Sequence, residues 1–236
     1  MRRAIDDYDM IKDGDQIAVG ISGGKDSLAL LQALSMYRHF ANKDFSLKAI
    51  TIDMGFEGMD YSPIKKFCEE NDVPYIVKKT EISQVLFDIR KESNPCSLCA
   101  KMRRGALCEL AKELGCNKVA LGHHQEDVIE TFFLSLFYEG RLNTFAPVTY
   151  LSRTDMFVIR PFIYVPEGDI KGAASRLEFP VVKNLCPMDG VSKRQDMKDF
   201  INEKNKEDHH FKTRMMHAIK SGLGPWKTEA EKGQKQ

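Results

Sequence analysis

The chain predicts an α/β fold, a parallel five-stranded sheet flanked by helices. Three observations carry that expectation. Short apolar runs alternate with longer amphipathic ones, the pattern of strands joined by helical crossovers. The short runs are apolar throughout rather than alternating, as strands buried on both faces are. The conspicuous polar motifs fall just after strands, at the carboxyl edge where such sheets bind ligands.

In chain order, the apolar run Gln16–Ile21 is the first strand and Ser27–Phe40 the helix after it. Strands Ser46–Asp53 and Pro74–Lys79 enclose a helix at Ser62–Asn71. The long amphipathic stretch Ser97–Leu114 leads into a short strand, Lys118–Leu121, and then the apolar helix Glu126–Tyr138. Met156–Ile159 is the fifth strand, followed by helices at Glu167–Leu177, Lys193–Asn205 and Phe211–Ser221. Residues 1–205 read as the principal domain and 206–236 as a C-terminal helix and tail, with Thr228–Gln236 frayed. Val181–Gly190 is irregular and rich in Pro, Asn and Cys, the kind of loop that carries function.

Composition narrows the class. With 42% apolar residues and a net charge of +1, the 236-residue chain reads as an ordinary soluble globular protein. It has no uninterrupted apolar run of about 18 residues, so no membrane-spanning helix is expected. Met1–Asp7 lacks the apolar stretch of a secretory signal, so the expectation is a cytoplasmic protein without a membrane partner. A charge so near zero gives no chain-wide case for nucleic-acid binding, and any basic surface must be local.

Between the first strand and its helix stands Ser22-Gly23-Gly24-Lys25-Asp26-Ser27. A tight Gly-Gly turn at a helix N-terminus presents successive backbone N–H groups to an anion. Ser22 and Ser27 add hydroxyl donors, Lys25 adds a mobile cation, and Asp26 suits either a metal ion or the helix cap. The spacing is neither Walker A nor the dinucleotide glycine pattern. At the same edge fall Asp53, Gly122-His123-His124-Gln125-Glu126-Asp127, and Arg160 before Pro161. Gly122 permits close approach of the backbone to a ligand. Glu126 and Asp127 open a helix, where acids either cap or hold Mg²⁺ beside phosphates. Arg160 is a cation for the same ligand or the partner of an acid.

Of the six cysteines, Cys96 and Cys99 form a C-x-x-C at a helix start and Cys186 lies in the irregular loop. Two such sulfurs chelate one metal centre or cycle as a dithiol. Three thiolates can hold three irons of a [4Fe-4S] cluster and leave the fourth without a protein ligand. A structural zinc would want four ligands, and no second C-x-x-C supplies them. Cys68, Cys108 and Cys116 lie within or at the ends of amphipathic helices and read as small buried hydrophobes. Lys101, Arg103 and Arg104 follow the C-x-x-C within about a turn, either as a solvated face or in contact with phosphate.

These strings together resemble the PP-loop family of ATP pyrophosphatases, specifically its tRNA 2-thiocytidine biosynthesis group. The resemblance runs from Met1-Arg2-Arg3-Ala4-Ile5 through the phosphate loop, Cys96-Ser97-Leu98-Cys99, Arg103-Arg104-Gly105, Gly122-His123-His124, Ile159-Arg160-Pro161 and Asn184-Leu185-Cys186 to Arg194-Gln195. It implies an adenine nucleotide α-hydrolase-like, Rossmann-like fold that uses ATP and Mg²⁺. It implies catalytic roles for Lys25, Asp127 and Arg103, and nucleotide contacts for Ser22, Gly23, Gly24, Asp26, Ser27, Asp53, Gly122, His123 and Arg160. It also implies a [4Fe-4S] cluster on Cys96, Cys99 and Cys186. The substrate would be an anticodon-loop cytidine of tRNA, with sulfur from a donor such as a cysteine desulfurase and a homodimer extending the basic surface. Where the group commonly has Gly-His-His-x-Asp-Asp, this chain has Glu126 before Asp127, and Asp127 is the better Mg²⁺ ligand. The alternatives are uridine thiolation, a persulfide route without a cluster, a small-molecule ligase that needs the loop but not the cysteines, and a non-catalytic regulator.

Overall fold

All five parallel strands form where the apolar runs predict them, to within a residue at each end. The computed structural model describes residues 1–90, 95–183, 185–188 and 193–228. In chain order the elements are α1 (Arg2–Asp7), β1 (Asp15–Gly20), α2 (Lys25–Arg38), β2 (Phe45–Asp53), α3 (Ser62–Glu70), β3 (Tyr75–Lys79) and α4 (Ile82–Gln84), which continues as a π-turn over Val85–Ile89. Then come α5 (Pro95–Glu113), β4 (Lys118–Ala120), α6 (Gln125–Glu139), β5 (Val148–Leu151), β6 (Met156–Ile159), α7 (Glu167–Arg176), α8 (Lys193–Glu207) and α9 (Phe211–Gly222).

The sheet order is β3-β2-β1-β4-β6-β5. The chain order reverses at β1, whose neighbours are β2 and β4, both parallel to it. This is the switch point where open α/β sheets form a crevice. One correction concerns sheet size: β5 adds a sixth strand at the edge, antiparallel to β6. Its four residues show no alternation of buried and exposed positions. The strand exists because the chain turns back at Ser152–Asp155 and pairs with β6, a tertiary cause that leaves little local pattern. The short α1 and the α4 turn are likewise additions to the sequence reading.

Alternate strand residues feed two apolar layers. Ile17, Val19 and Ala49 face a large layer built with Leu30, Leu34, Phe67, Val128, Phe133, Ile170, Ile201 and Ile219. Ala18, Ile50, Val119 and Val158 face a smaller one closed by Leu86, Leu107, Cys108 and Ala111. Most helices therefore cover one face, and α5 with the α4 turn covers the other. Cys68, Cys108 and Cys116 are buried, as expected of small hydrophobes, and burial pushes the Cys68 thiol up to about 12. No helix among the described residues is long and apolar enough to cross a membrane.

The C-terminal segment packs into the large layer through Met216, Ile219 and Trp226. Trp226 is fully buried, edge-on to Tyr8 at 6.4 Å between ring centres. The Tyr8 hydroxyl donates to the Trp226 carbonyl at 3.0 Å, tying the two ends of the chain together. Trp226 is thus a packing residue. Asn184 and residues 229–236 of the expected frayed tail lie outside the described residues. Trp226→Ala is expected to cost about 3–5 kcal/mol, as large-to-small changes at buried aromatics do. The midpoint of urea unfolding measures this, and an unshifted midpoint would contradict the clasp.

Candidate functional site

β1 delivers the chain to the phosphate loop, and the loop is held by its own hydroxyls. Ser27 Oγ accepts the Ser22 N–H at 3.2 Å and donates to the Gly24 carbonyl at 2.9 Å. The Gly24 N–H reaches Ser22 Oγ at 3.3 Å. Ser22 and Ser27 therefore shape the turn as well as lining it. Gly23 has φ +85°, and a Cβ there would meet Val182 Cβ at 3.3 Å, so the position favours glycine. The Gly23 carbonyl accepts the Val182 N–H at 3.0 Å, which fixes the chain leading to Cys186 beside the loop.

On one flank of the loop opens a cleft of about 390 Å³. Ser22, Gly24, Tyr61, Cys99, Arg103 and Cys186 line it, with Met54, Phe56 and Met59 forming an apolar wall. Cys96 and Cys99 occupy the first turns of α5, which begins at Pro95. Burial pushes the Cys99 thiol up, the Arg103 guanidinium bonded to it opposes this, and the nearby Cys186 and Cys96 raise it further. Three thiols and one cation thus interact at the cleft. Cys99 Sγ also donates to Met54 Sδ at 3.6 Å. Among the described residues no three His, Cys, Asp or Glu side chains stand close enough to hold a single metal ion. A cluster makes a different demand, since each of its irons takes its own thiolate. Asp53 does not line the cleft itself; it accepts the Gly55 N–H at 3.0 Å and bonds the lining residue Tyr61. Burial together with the hydrogen-bonded Asp53 carboxylate pushes the Tyr61 phenol up to about 12.

The other flank is a charge network. Lys25 Nζ donates to both Asp26 oxygens at 3.0 Å and meets Glu167 Oε1 at 3.1 Å. Burial would lower the Lys25 pKa, but these two carboxylates outweigh it and raise it. Gly122 abuts the start of α2 so closely that a Cβ would fall 2.8 Å from the Asp26 carbonyl oxygen. The close approach foreseen for Gly122 is therefore made to α2. Asp127 caps α6, accepting the His124 N–H at 2.9 Å, and its other oxygen accepts from Arg194 Nη1 at 2.9 Å. Glu126 is buried, with Oε2 taken by the Glu167 N–H at 2.8 Å and Oε1 by Lys212 at 3.1 Å. It serves as a bolt between α6, α7 and α9.

The two histidines part company. His124 lies among acids, with Nε2 3.5 Å from Asp127 and 3.9 Å from Asp26, and Nδ1 3.4 Å from Glu126. Burial pushes its pKa down, but these carboxylates prevail and raise it. His123 instead packs on Phe145 at 4.9 Å, and burial with the Arg160 charge pushes it down to about 4. Arg160 lies over the same ring at 5.0 Å. Its Nη1 donates to the Ala146 carbonyl at 2.7 Å and Thr149 Oγ1 at 3.1 Å. Burial and the Arg104 charge push its pKa down to about 10. Neither His123 nor Arg160 lines the cleft; Arg160 braces β5, and among the described residues no acid pairs with it. His124, Glu167, Tyr61 and Arg194 join the site although their residue types alone do not single them out.

Residues 2–184 match the family model ATP_bind_3, a PP-loop domain. The chain is 39% identical to the tRNA-cytidine(32) 2-sulfurtransferase of Geobacter sulfurreducens over 220 residues, covering 92% of this chain and 86% of the relative. It is 40% identical to the protein so named in Geotalea daltonii, covering 92% and 87%. Among solved structures, the U34-tRNA thiolase NcsA from Methanococcus maripaludis, with its [4Fe-4S] cluster, superposes with a TM-score of 0.76 at 25% identity. That match covers 93% of this chain and 76% of the thiolase.

The network also sets an acid limit on stability. Burial works to raise the Glu126 carboxyl, but His124, the Glu167 amide and Lys212 hold it at about 2, below its ordinary 4.5. A folded-state value below the unfolded one gives stabilisation that is present above about pH 4.5 and is lost as pH falls toward 2. Glu126→Gln is expected to lower stability at pH 7 and to flatten its decline over that window. Urea midpoints measured across the window test this, and an unchanged acid limb would contradict it.

Proposed function

Because the chain belongs to the PP-loop family, we propose that it is an ATP-dependent tRNA sulfurtransferase replacing O2 of an anticodon-loop cytidine with sulfur. The observation that carries this reading is the shared cleft, where Ser22 and Gly24 of the phosphate loop face Cys99, Cys186 and Arg103. An ATP-consuming ligase for small molecules would need the loop but has no use for the thiols. Identity of 39% to a cytidine-directed relative, against 25% to the uridine-directed thiolase, supports cytidine as the base.

The chemistry explains the juxtaposition. A pyrimidine C2 oxygen leaves poorly until it attacks the α-phosphate of ATP, forming a C2–O–P bond and releasing pyrophosphate. Sulfide then adds at C2, and AMP departs with the oxygen. For the first step the chain supplies positioning and charge neutralisation: the loop amides of Gly23 and Gly24, the Ser22 hydroxyl and the Lys25 ammonium. Mg²⁺, carried largely by phosphate oxygens, would find Asp26 and Asp127 beside the loop. Arg103 places a cation in the cleft for an adenylate or RNA phosphate. For the second step Cys99 and Cys186 line the cleft with the exposed Cys96 near Cys99, and three thiols fit three irons of a [4Fe-4S] cluster. Such a cluster, when bound, supplies a Lewis-acidic iron free of protein ligand for inorganic sulfur. The sulfide would come from a persulfide carrier such as a cysteine desulfurase, released when two external thiols reduce the persulfide and leave as a disulfide, and a second copy of the chain would widen the local basic surface offered to tRNA.

Mass spectrometry of nucleosides from bulk tRNA tests the function in cells lacking the gene. Loss of 2-thiocytidine is expected, with restoration by the wild-type chain and not by Lys25→Ala or Cys186→Ala. For Lys25→Ala the expected fall in thiolation rate is on the order of 10²-fold or more, as for other losses of transition-state charge stabilisation. A thionucleoside profile that does not change on deletion would overturn the reading.

A further inference from the structure

Lys25 stands on a flexible stem, and its ammonium must be in place when charge builds on the phosphates. A lysine side chain surrenders rotamer entropy when fixed. In this chain the fixing is done from across the fold. Glu167, at the first position of α7, is buried, and its Oε1 accepts from Lys25 at 3.1 Å and from Lys198 of α8 at 3.0 Å. Its Oε2 accepts from Lys171 at 3.1 Å. The carboxylate is itself held: the Glu167 N–H is bonded to Glu126 Oε2 at 2.8 Å, and the Gln125 N–H to the Val165 carbonyl at 3.0 Å. Asp26 also binds Lys25, but it is the next residue on the same loop and moves with it. Glu167 is the partner that ties the ammonium to the rest of the molecule.

We propose that Glu167 is a positioning residue for the phosphate-loop reaction, holding the Lys25 ammonium in place through a buried ion pair anchored on α7. This rests on the reading that the loop cradles the phosphates of ATP. Both oxygens of the carboxylate are taken by lysines, Lys25 and Lys198 on one and Lys171 on the other, so it acts through Lys25. Removing its charge leaves the loop's hydroxyls and amides intact and makes the surroundings of Lys25 more positive. Ground-state attraction for ATP is therefore retained while the orientation of the cation is lost. The signature is a fall in kcat without a matching rise in KM.

The experiment uses the reconstituted holoenzyme with tRNA and follows pyrophosphate release and single-turnover rates, with ATP binding by calorimetry and thermal unfolding as controls. Glu167→Gln is expected to lower kcat by about tenfold or more and to change KM for ATP by less than about threefold, the pattern of lost orientation rather than lost binding. In a Lys25→Met background the same substitution is expected to have no further effect, because both remove one unit. Lys171→Met, which removes an exposed partner, is expected to match the wild type. If Glu167→Gln does not fold, Glu167→Asp, which keeps the charge and shortens the reach, is expected to lower kcat in the same way. Unchanged kcat, or an equal fall with and without Lys25, would overturn the positioning role while leaving the ATP reading intact. A wild-type enzyme that releases no pyrophosphate would overturn both.

Discussion

The contact on which the site depends is between the ends of two neighbouring strands. Beyond β4 the backbone at Gly122 lies against Asp26 and Ser27, closer than any side chain permits. That approach brings the start of α6 against the start of α2, so that His124 stands between Asp26 at 3.9 Å and Asp127 at 3.5 Å. It follows from β1 and β4 being adjacent parallel strands, which place both helix N-termini at one edge. Two helix N-termini at one point concentrate positive potential where an anion binds. The acids there take up part of that potential and pair with Lys25 and Arg194.

Around this contact the site divides by chemistry. One flank is a lattice of ion pairs joining Lys25, Glu167, Glu126, Asp127 and Arg194 across α2, α6, α7, α8 and α9. Such a lattice suits phosphoryl chemistry, which asks for fixed charges more than for covalent participation. The other flank is a half-apolar cleft with sulfur at its wall. A flat base could enter there, stripped of water, with the phosphate loop on one side and the thiols on the other. The phosphate loop borders both flanks, with Lys25 on the side of the ion pairs and Ser22 and Gly24 on the side of the cleft.

The parts legible in the sequence were those whose meaning is local. The hexapeptide and the C-x-x-C carry their chemistry in their spacing, and the parallel strands show as apolar runs because both of their faces are buried. What escaped depends on distant chain. β5 has no alternation of its own and exists by pairing with β6. His123 and His124 are indistinguishable as residue types. Neighbours on extended backbone face opposite ways, and only the phase of that backbone sends His124 to the acids and His123 to Phe145. Glu167 reads from sequence as an acid at a helix start, favourable for the dipole alone. Its pairing with Lys25 arises from how α7 docks on α2. Arg160 stood in the right place along the chain, but its Nη1 is taken up by Ala146 and by Thr149 of the strand that the sequence did not announce.

The chemistry assigned to the shared cleft makes one atom traceable. If the base oxygen attacks the α-phosphate and is then displaced by sulfide, that oxygen must leave on AMP. The measurement is a turnover with tRNA carrying ¹⁸O at C2 of the target cytidine, followed by mass spectrometry of the released AMP. One ¹⁸O in AMP per 2-thiocytidine formed is the predicted result. AMP without the label, with thiolation intact, would show that ATP is cleaved apart from the base and would contradict a common site for the two steps.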